Sequence, residues 1–180
     1  MLHITVPASE YYDERTNTFH KTEEQTLCLE HSLVSLSKWE AKWHKPYLSK
    51  KEKSIEETID YIRCMTVTPH VDPDIYVRFT NENLDQILKY INDPMTATTI
   101  NNTDPRKGSN KVVTSELIYY WMVAYNIPFE CQKWHLNRLL TLIEICNIEN
   151  QPPKKMGKGD IMRNNAALNA ARRKKLNTRG

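Results

Sequence analysis

The apolar positions of the first six residues alternate, with Leu2, Ile4 and Val6 on one side and His3 and Thr5 on the other. A period of two marks a short strand. Pro7 has no backbone N–H and so ends that strand or places it at an edge. Tyr11-Tyr12 and Phe19-His20 flank a polar centre, which predicts a hairpin turning near residues 15–17. Leu27 and Leu29, within residues 25–30, supply one more strand. From Ser32 the period changes. Leu36, Trp39 and Trp43 follow i, i+3, i+7, with Lys38, Lys42 and Lys45 off the stripe, so an amphipathic helix is predicted that Pro46 ends. Residues 49–52 and 54–57 both fit a Ser-x-x-Glu capping box. One of them opens a helix with Ile55, Ile59, Ile62 and Met65 on one face, and Pro69 and Pro73 interrupt the chain beyond its end. Thr80-Asn81 opens another, with Leu84, Ile87, Leu88 and Ile91 as its buried stripe and Pro94 as its end. Residues 95–112, rich in Thr, Asn, Asp and Gly, read as a surface loop.

Two core helices are predicted next. Thr114 or Ser115 caps the first, which buries Leu117, Ile118, Trp121, Met122 and Tyr125. Pro128 starts the second. There Trp134, Leu136, Leu139, Leu140, Ile143 and Cys146 cover most of the girth, leaving a narrow polar stripe of Glu130, Lys133, Asn137, Thr141 and Glu144. A narrow stripe predicts a central helix packed on several sides. Pro152-Pro153 then cuts off a segment whose alanines, Ala166, Ala167, Ala170 and Ala171, permit a helix. Its only bulky apolar residues are Ile161, Met162, Leu168 and Leu176, so that helix would be marginal alone and would form on a partner. The fold class is mainly α. A compact helical domain of about five helices spans residues 32–150, after a small N-terminal β-hairpin element at 1–31 and before a basic C-terminal tail at 151–180, disordered or helical on binding.

Composition sharpens this outline. Four Trp, nine Tyr and three Phe in 180 residues are enough to fill a core. Only four glycines occur, none before Gly108, which counts against a fold of tight hairpins and against a loop that cradles phosphate. The whole-chain charge of +3 conceals an asymmetry. Residues 151–180 carry nine basic side chains and one acid, Asp160, a balance of +8 that leaves −5 for residues 1–150. No apolar run approaches the roughly 18 residues of a membrane span, and the first residues lack a signal peptide's charged start and apolar core. The protein is therefore read as cytosolic. Cys28, Cys64, Cys131 and Cys146 form no CxxC pair and sit in apolar runs, so they read as reduced core thiols.

Candidate chemistry is sparse. The six histidines form no metal-ligand pattern, and His135, beside Trp134, reads as a core histidine in preference to a catalytic base. Glu56-Glu57 and the Asp72, Asp74 pair suit capping. With no nucleophile elbow, phosphate loop or dinucleotide fingerprint, the expectation is a binding protein with no enzyme activity, metal or cofactor. The tail stays open among three readings: a solvated terminus, a docking segment for an acidic protein, or a nucleic-acid contact, for which it has the cations but no stacking aromatic.

Three stretches resemble a known family. They are His31-Ser32-Leu33-Val34-Ser35-Leu36-Ser37-Lys38-Trp39-Glu40-Ala41-Lys42-Trp43, Asp60-Tyr61-Ile62-Arg63-Cys64-Met65-Thr66 and Ile127-Pro128-Phe129-Glu130-Cys131-Gln132-Lys133-Trp134-His135-Leu136-Asn137-Arg138-Leu139-Leu140. They are similar to tail assembly chaperones of long-tailed, siphovirus-type bacteriophages, and Pro152-Pro153-Lys154-Lys155-Met156 and Asn177-Thr178 look like that family's end. The resemblance implies a protein of the host cytoplasm that coats the tape-measure protein, recruits tail-tube subunits, and leaves the finished particle. It also implies a longer frameshifted product of which this chain would be the short form; possible self-association is a separate expectation that the resemblance does not supply. No catalytic residue carries over. The partner-binding candidates are an apolar cluster of Trp39, Trp43 and Tyr47, if exposed, and the basic residues Lys154, Lys155, Lys158, Arg163, Arg172, Arg173, Lys174 and Lys175. Two other functions remain open: a nucleic-acid-binding accessory protein that uses the basic tail, and a structural head–tail connector of the virion.

Overall fold

A computed structural model describes residues 1–13, 17–100, 112–151 and 157–177. The fold is mainly α, and its contacts divide the chain into two compact units, Met1–Asn147 and Ile148–Gly180.

The first unit begins with four strands, β1 (Leu2–Val6), β2 (Ser9–Asp13), β3 (Thr18–Thr22) and β4 (Gln25–Leu29). β1 pairs with β4 from Leu2↔Leu29 to Val6↔Gln25, and β2 pairs with β3 from Ser9↔Thr22 to Asp13↔Thr18, both antiparallel. The register carries across the gap at Pro7, so the four strands form a single interrupted ribbon. Ile4, Val6, Leu27 and Leu29 turn inward from it, as the period of two requires. The other edge of β4 is covered as well. Glu30 donates its N–H to Met65 O at 2.8 Å, and Val67 donates to Cys28 O at 2.9 Å. The ribbon, set apart at residue 31 by its period, therefore belongs to the same unit as the helices after it.

Those helices are α1 (Leu33–Trp43), α2 (Ile55–Met65), α3 (Asn81–Asn92), α4 (Ser115–Ala124) and α5 (Leu136–Glu149), with 3-10 turns at Pro73–Arg78 and Phe129–Lys133. Side-chain caps start four of them. Ser32, Ser54 and Thr80 make reciprocal capping boxes with Ser35, Glu57 and Asn83, and Thr114 caps α4. Of the two Ser-x-x-Glu sequences, the chain uses the one at Ser54. α1 lies at the centre, with Leu33, Leu36 and Trp39 wholly buried.

Several expectations are corrected. Ile55, placed on the buried face of α2, is 79% exposed, because the buried side of α2 runs through Glu57, Asp60, Tyr61, Ile62 and Met65. α3 turns Asn83, Ile87 and Tyr90 inward, not Leu88, which is 50% exposed. The shift is held by Asn83, whose amide donates to Thr5 O at 3.3 Å. Pro128 starts the 3-10 turn at Phe129–Lys133, and Trp134 then leaves helical geometry with ψ of 161°. Trp134 thus precedes α5. α5 is also not the central helix: it buries Leu136, Leu139 and Ile143, while Leu140 and Cys146 are only partly covered.

In the second unit, α6 (Lys158–Leu176) occupies the segment expected to be disordered or helical on binding.

Candidate partner-binding surfaces

The first predicted site comes together as a packed group. Tyr47 stacks on Tyr61 with ring centroids 3.8 Å apart and planes at 20°, and meets the edge of Trp39 at 5.0 Å. Trp39 and Trp43 lie 6.0 Å apart, one helical turn from each other on α1. Trp39 is only 1% exposed, and its indole N–H donates to Glu57 O at 2.9 Å. It anchors α1 to α2 and offers a partner no surface. Trp43 and Tyr47 are half-buried. Trp43 donates to Asp60 Oδ2 at 2.8 Å, and Lys42 binds the other oxygen of the same carboxylate. Burial raises the Asp60 carboxyl, but the bonds from Lys42 and Trp43 outweigh it and hold the group below its ordinary value. Lys45 does the same for Glu57, helped by the Ser54 N–H. Burial pushes the Tyr47 hydroxyl up.

A second buried group, not predicted, joins three stretches that are far apart in the chain. His31 precedes α1, Tyr61 lies on α2 and His135 precedes α5. Tyr61 Oη lies 2.6 Å from His31 Nδ1, and the two imidazoles meet at 5.0 Å. Burial raises the Tyr61 hydroxyl well above its ordinary range, so it keeps its proton and can donate to His31. His135 Nε2 donates to Tyr90 O at 2.9 Å, which fixes its tautomer and leaves Nδ1 bare. Burial, reinforced by His135, lowers His31 to about 3. Burial also lowers His135, against the opposing bond to Tyr90. Both rings are neutral near pH 7, and with 2% and 9% exposure neither reaches a substrate. The sequence carried no signal of this pairing, because the two histidines are far apart in the chain.

A buried carboxylate completes the interior. Glu40 accepts from Tyr47 N at 2.9 Å and from Ser115 N at 2.7 Å, so that α1 closes the first turn of α4. Periodicity alone would place Glu40 on the polar face of α1.

The open apolar surface lies elsewhere. Ile55, Ile59, Tyr76, Val77, Phe79 and Leu84, with Lys53 and Thr58, line a cleft of about 320 Å³ between α2, the Pro73–Arg78 turn and α3. Ile55 and Val77 are each 79% exposed. Sequence reasoning missed this site because it assigned Ile55 to the core and gave Val77 no role; the one usable signal was a bulky apolar residue at the first position of a helix. A smaller cleft of about 230 Å³ lies between α4 and α5, floored by Trp121, Tyr125, Leu140 and Ile143.

Of the predicted basic residues, Lys154 and Lys155 lie outside the described residues, and Lys158 is the first residue of α6. Arg163, Arg172, Arg173, Lys174 and Lys175 are all exposed on α6. Among the described residues no group of three or more His, Cys, Asp or Glu could hold a metal, and no helix is long and apolar enough to cross a membrane. No family model, curated protein or solved structure matches the chain.

Proposed function

We propose that the protein is a bacteriophage tail assembly chaperone acting in the host cytoplasm, which holds an amphipathic segment of the tape-measure protein in the α2–α3 cleft and brings tail-tube subunits to it. The observation that carries this reading is the open apolar cleft with Ile55 and Val77 at its rim. A largely helical partner offers apolar residues at i, i+3, i+4 and i+7, and such a face seats in a groove of this kind. The resemblance supports the same reading from another side. Its three stretches supply His31, Tyr61 and His135, which meet in the core. All three are buried, and none of them lines the cleft.

Magnitudes set the kind of binding. Covering Ile55 and Val77 contributes about 1.5–3 kcal/mol each, against an association cost of about 4–15 kcal/mol. Two anchors alone do not hold a partner. With Phe79 and Leu84 added, the balance suits weak, reversible binding repeated along a long chain, as a chaperone that leaves its product requires.

The test is co-purification with the tape-measure protein of the same phage. Ile55→Lys and Val77→Lys should each weaken capture at least tenfold while leaving thermal unfolding unchanged. Full capture by the double variant would overturn the cleft assignment. Stoichiometric presence of the protein in purified particles would favour a head–tail connector instead.

A further inference from the structure

We infer that α6 is a docking helix for duplex DNA, which it enters through the major groove with the four cations of its last turns. The inference is independent of the chaperone reading and rests on how charge is distributed round this helix. Successive helical residues are turned by about 100°. Arg172, Arg173, Lys174 and Lys175 are consecutive and therefore point to all four quarters of the circumference. All four are exposed. The only acid on the helix, Asp160, lies one turn from Arg163 at 4.0 Å and far along the chain from the quartet. An acidic protein surface is one-sided and would engage about half of such a ring. A groove with phosphates on both walls engages more of it and leaves only the outward quarter to solvent.

The rest of the helix fits the same ligand. With side chains an α-helix is about 10–12 Å across, and the major groove of B-form DNA is about 12 Å wide. The 19 residues of α6 span about 28 Å, long enough to follow the groove between its phosphate rows. Ala166, Ala167, Ala170 and Ala171 keep one side of the helix slim. The opposite side carries the exposed amides of Asn164, Asn165 and Asn169 with the exposed Leu168 and Ile161 among them, polar and apolar groups that base edges and thymine methyls would meet. No aromatic residue occurs in residues 151–180, so the stacking that single strands require is missing. Residues 1–150 carry a net charge of −5, although Lys38, Lys42, Lys45, Lys50, Lys51 and Lys53 form a local basic run within them. The assignment of binding to α6 therefore rests on the quadruple variant described below.

The probe is a fluorescein-labelled duplex of about 24 base pairs and mixed sequence, titrated with the full chain and followed by anisotropy. Four neutralised phosphates give a logarithmic salt slope of about −3.6, a loss of roughly 10²-fold in affinity between about 50 and about 200 mM salt. The variant Arg172→Gln, Arg173→Gln, Lys174→Gln, Lys175→Gln keeps helix-forming side chains, and circular dichroism checks that it does. It should lose at least about tenfold in affinity at low salt together with most of the slope. Ile55→Lys should leave DNA binding unchanged, which keeps a failure here distinct from a failure of the cleft. Absence of binding at low salt, or undiminished binding by the quadruple variant, would overturn the inference. So would tighter binding to oligo-dT than to the duplex, or polyglutamate competing as well as the duplex at equal charge, which would assign the helix to an acidic protein.

Discussion

Single buried polar residues govern how this body responds to pH. His31 titrates near 6.5 when unfolded and at about 3 when folded, with His135 shifted the same way. The unfolded chain therefore takes up protons that the native one refuses. The contribution of the pair is complete above pH 6.5 and is lost as pH falls from there toward 3. His31 alone gives a slope of up to about 1.4 kcal/mol per pH unit. Glu57 and Asp60 are depressed carboxylates, whose stabilisation is lost only below about 4.5, so the interval from 6.5 to 4.5 belongs to the histidines. Urea unfolding of His31→Gln should be less stable at pH 7 and visibly flatter across that interval; an unchanged slope would mean that the ring is solvated in the native state. Glu40 gives a companion prediction. Glu40→Gln replaces one of two acceptor oxygens with a donor that faces the N–H of Tyr47 or of Ser115. The loss should be about 1–3 kcal/mol in chemical denaturation.

The elements were legible where one physical rule decided them and obscure where two competed. Pro7, Ser32, Ser54, Thr80, Thr114 and Pro94 each fix a boundary through a missing or captured backbone N–H, and the boundaries follow them closely. The facing of helices was harder to read, because periodicity reports which side chains are apolar and not which side a neighbour covers. Leu88 and Ile55 are apolar yet open, whereas Asn83 and Glu40 are polar yet buried, each satisfied by a backbone partner distant in sequence. The cleft was hidden for the same reason. In α5, Leu139 and Leu140 look alike in sequence, but Leu139 is wholly buried and Leu140 only partly. Leu139→Ala should cost about 2–5 kcal/mol, and Leu140→Ala clearly less; equal losses would show that α5 is turned otherwise. α1 ends at His44, an exposed residue held at φ 52°, a left-handed cap that glycine adopts without strain. His44→Gly should raise stability by about 0.5–1 kcal/mol, read as an increase in melting temperature.

At the scale of the whole chain the central matter is what the terminal 30 residues contribute. The division falls at Asn147, within the last turn of α5 and three residues before the body's expected end at 150. Beyond it, every described side chain of α6 is exposed, including Ile161, Met162, Leu168 and Leu176. A helix that buries none of its bulky residues gains little from the hydrophobic effect, while ordering each residue costs of order 1–2 kcal/mol. It adds length and charge, whereas the core residues Trp39, Leu36 and Leu139 all belong to the first unit. Ending the chain after Asn150 should therefore shift thermal unfolding of the body by less than about 2 °C, since a loss of 1 kcal/mol moves a domain of this size by about 2–4 °C. Removal should also change the net charge from +3 to −5, so the shortened protein should elute from a cation exchanger where the full chain is retained. A drop of more than about 5 °C would mean that α6 contributes to the body's stability, and its apolar residues would then have to be sought in a contact made by the native chain and not on a partner.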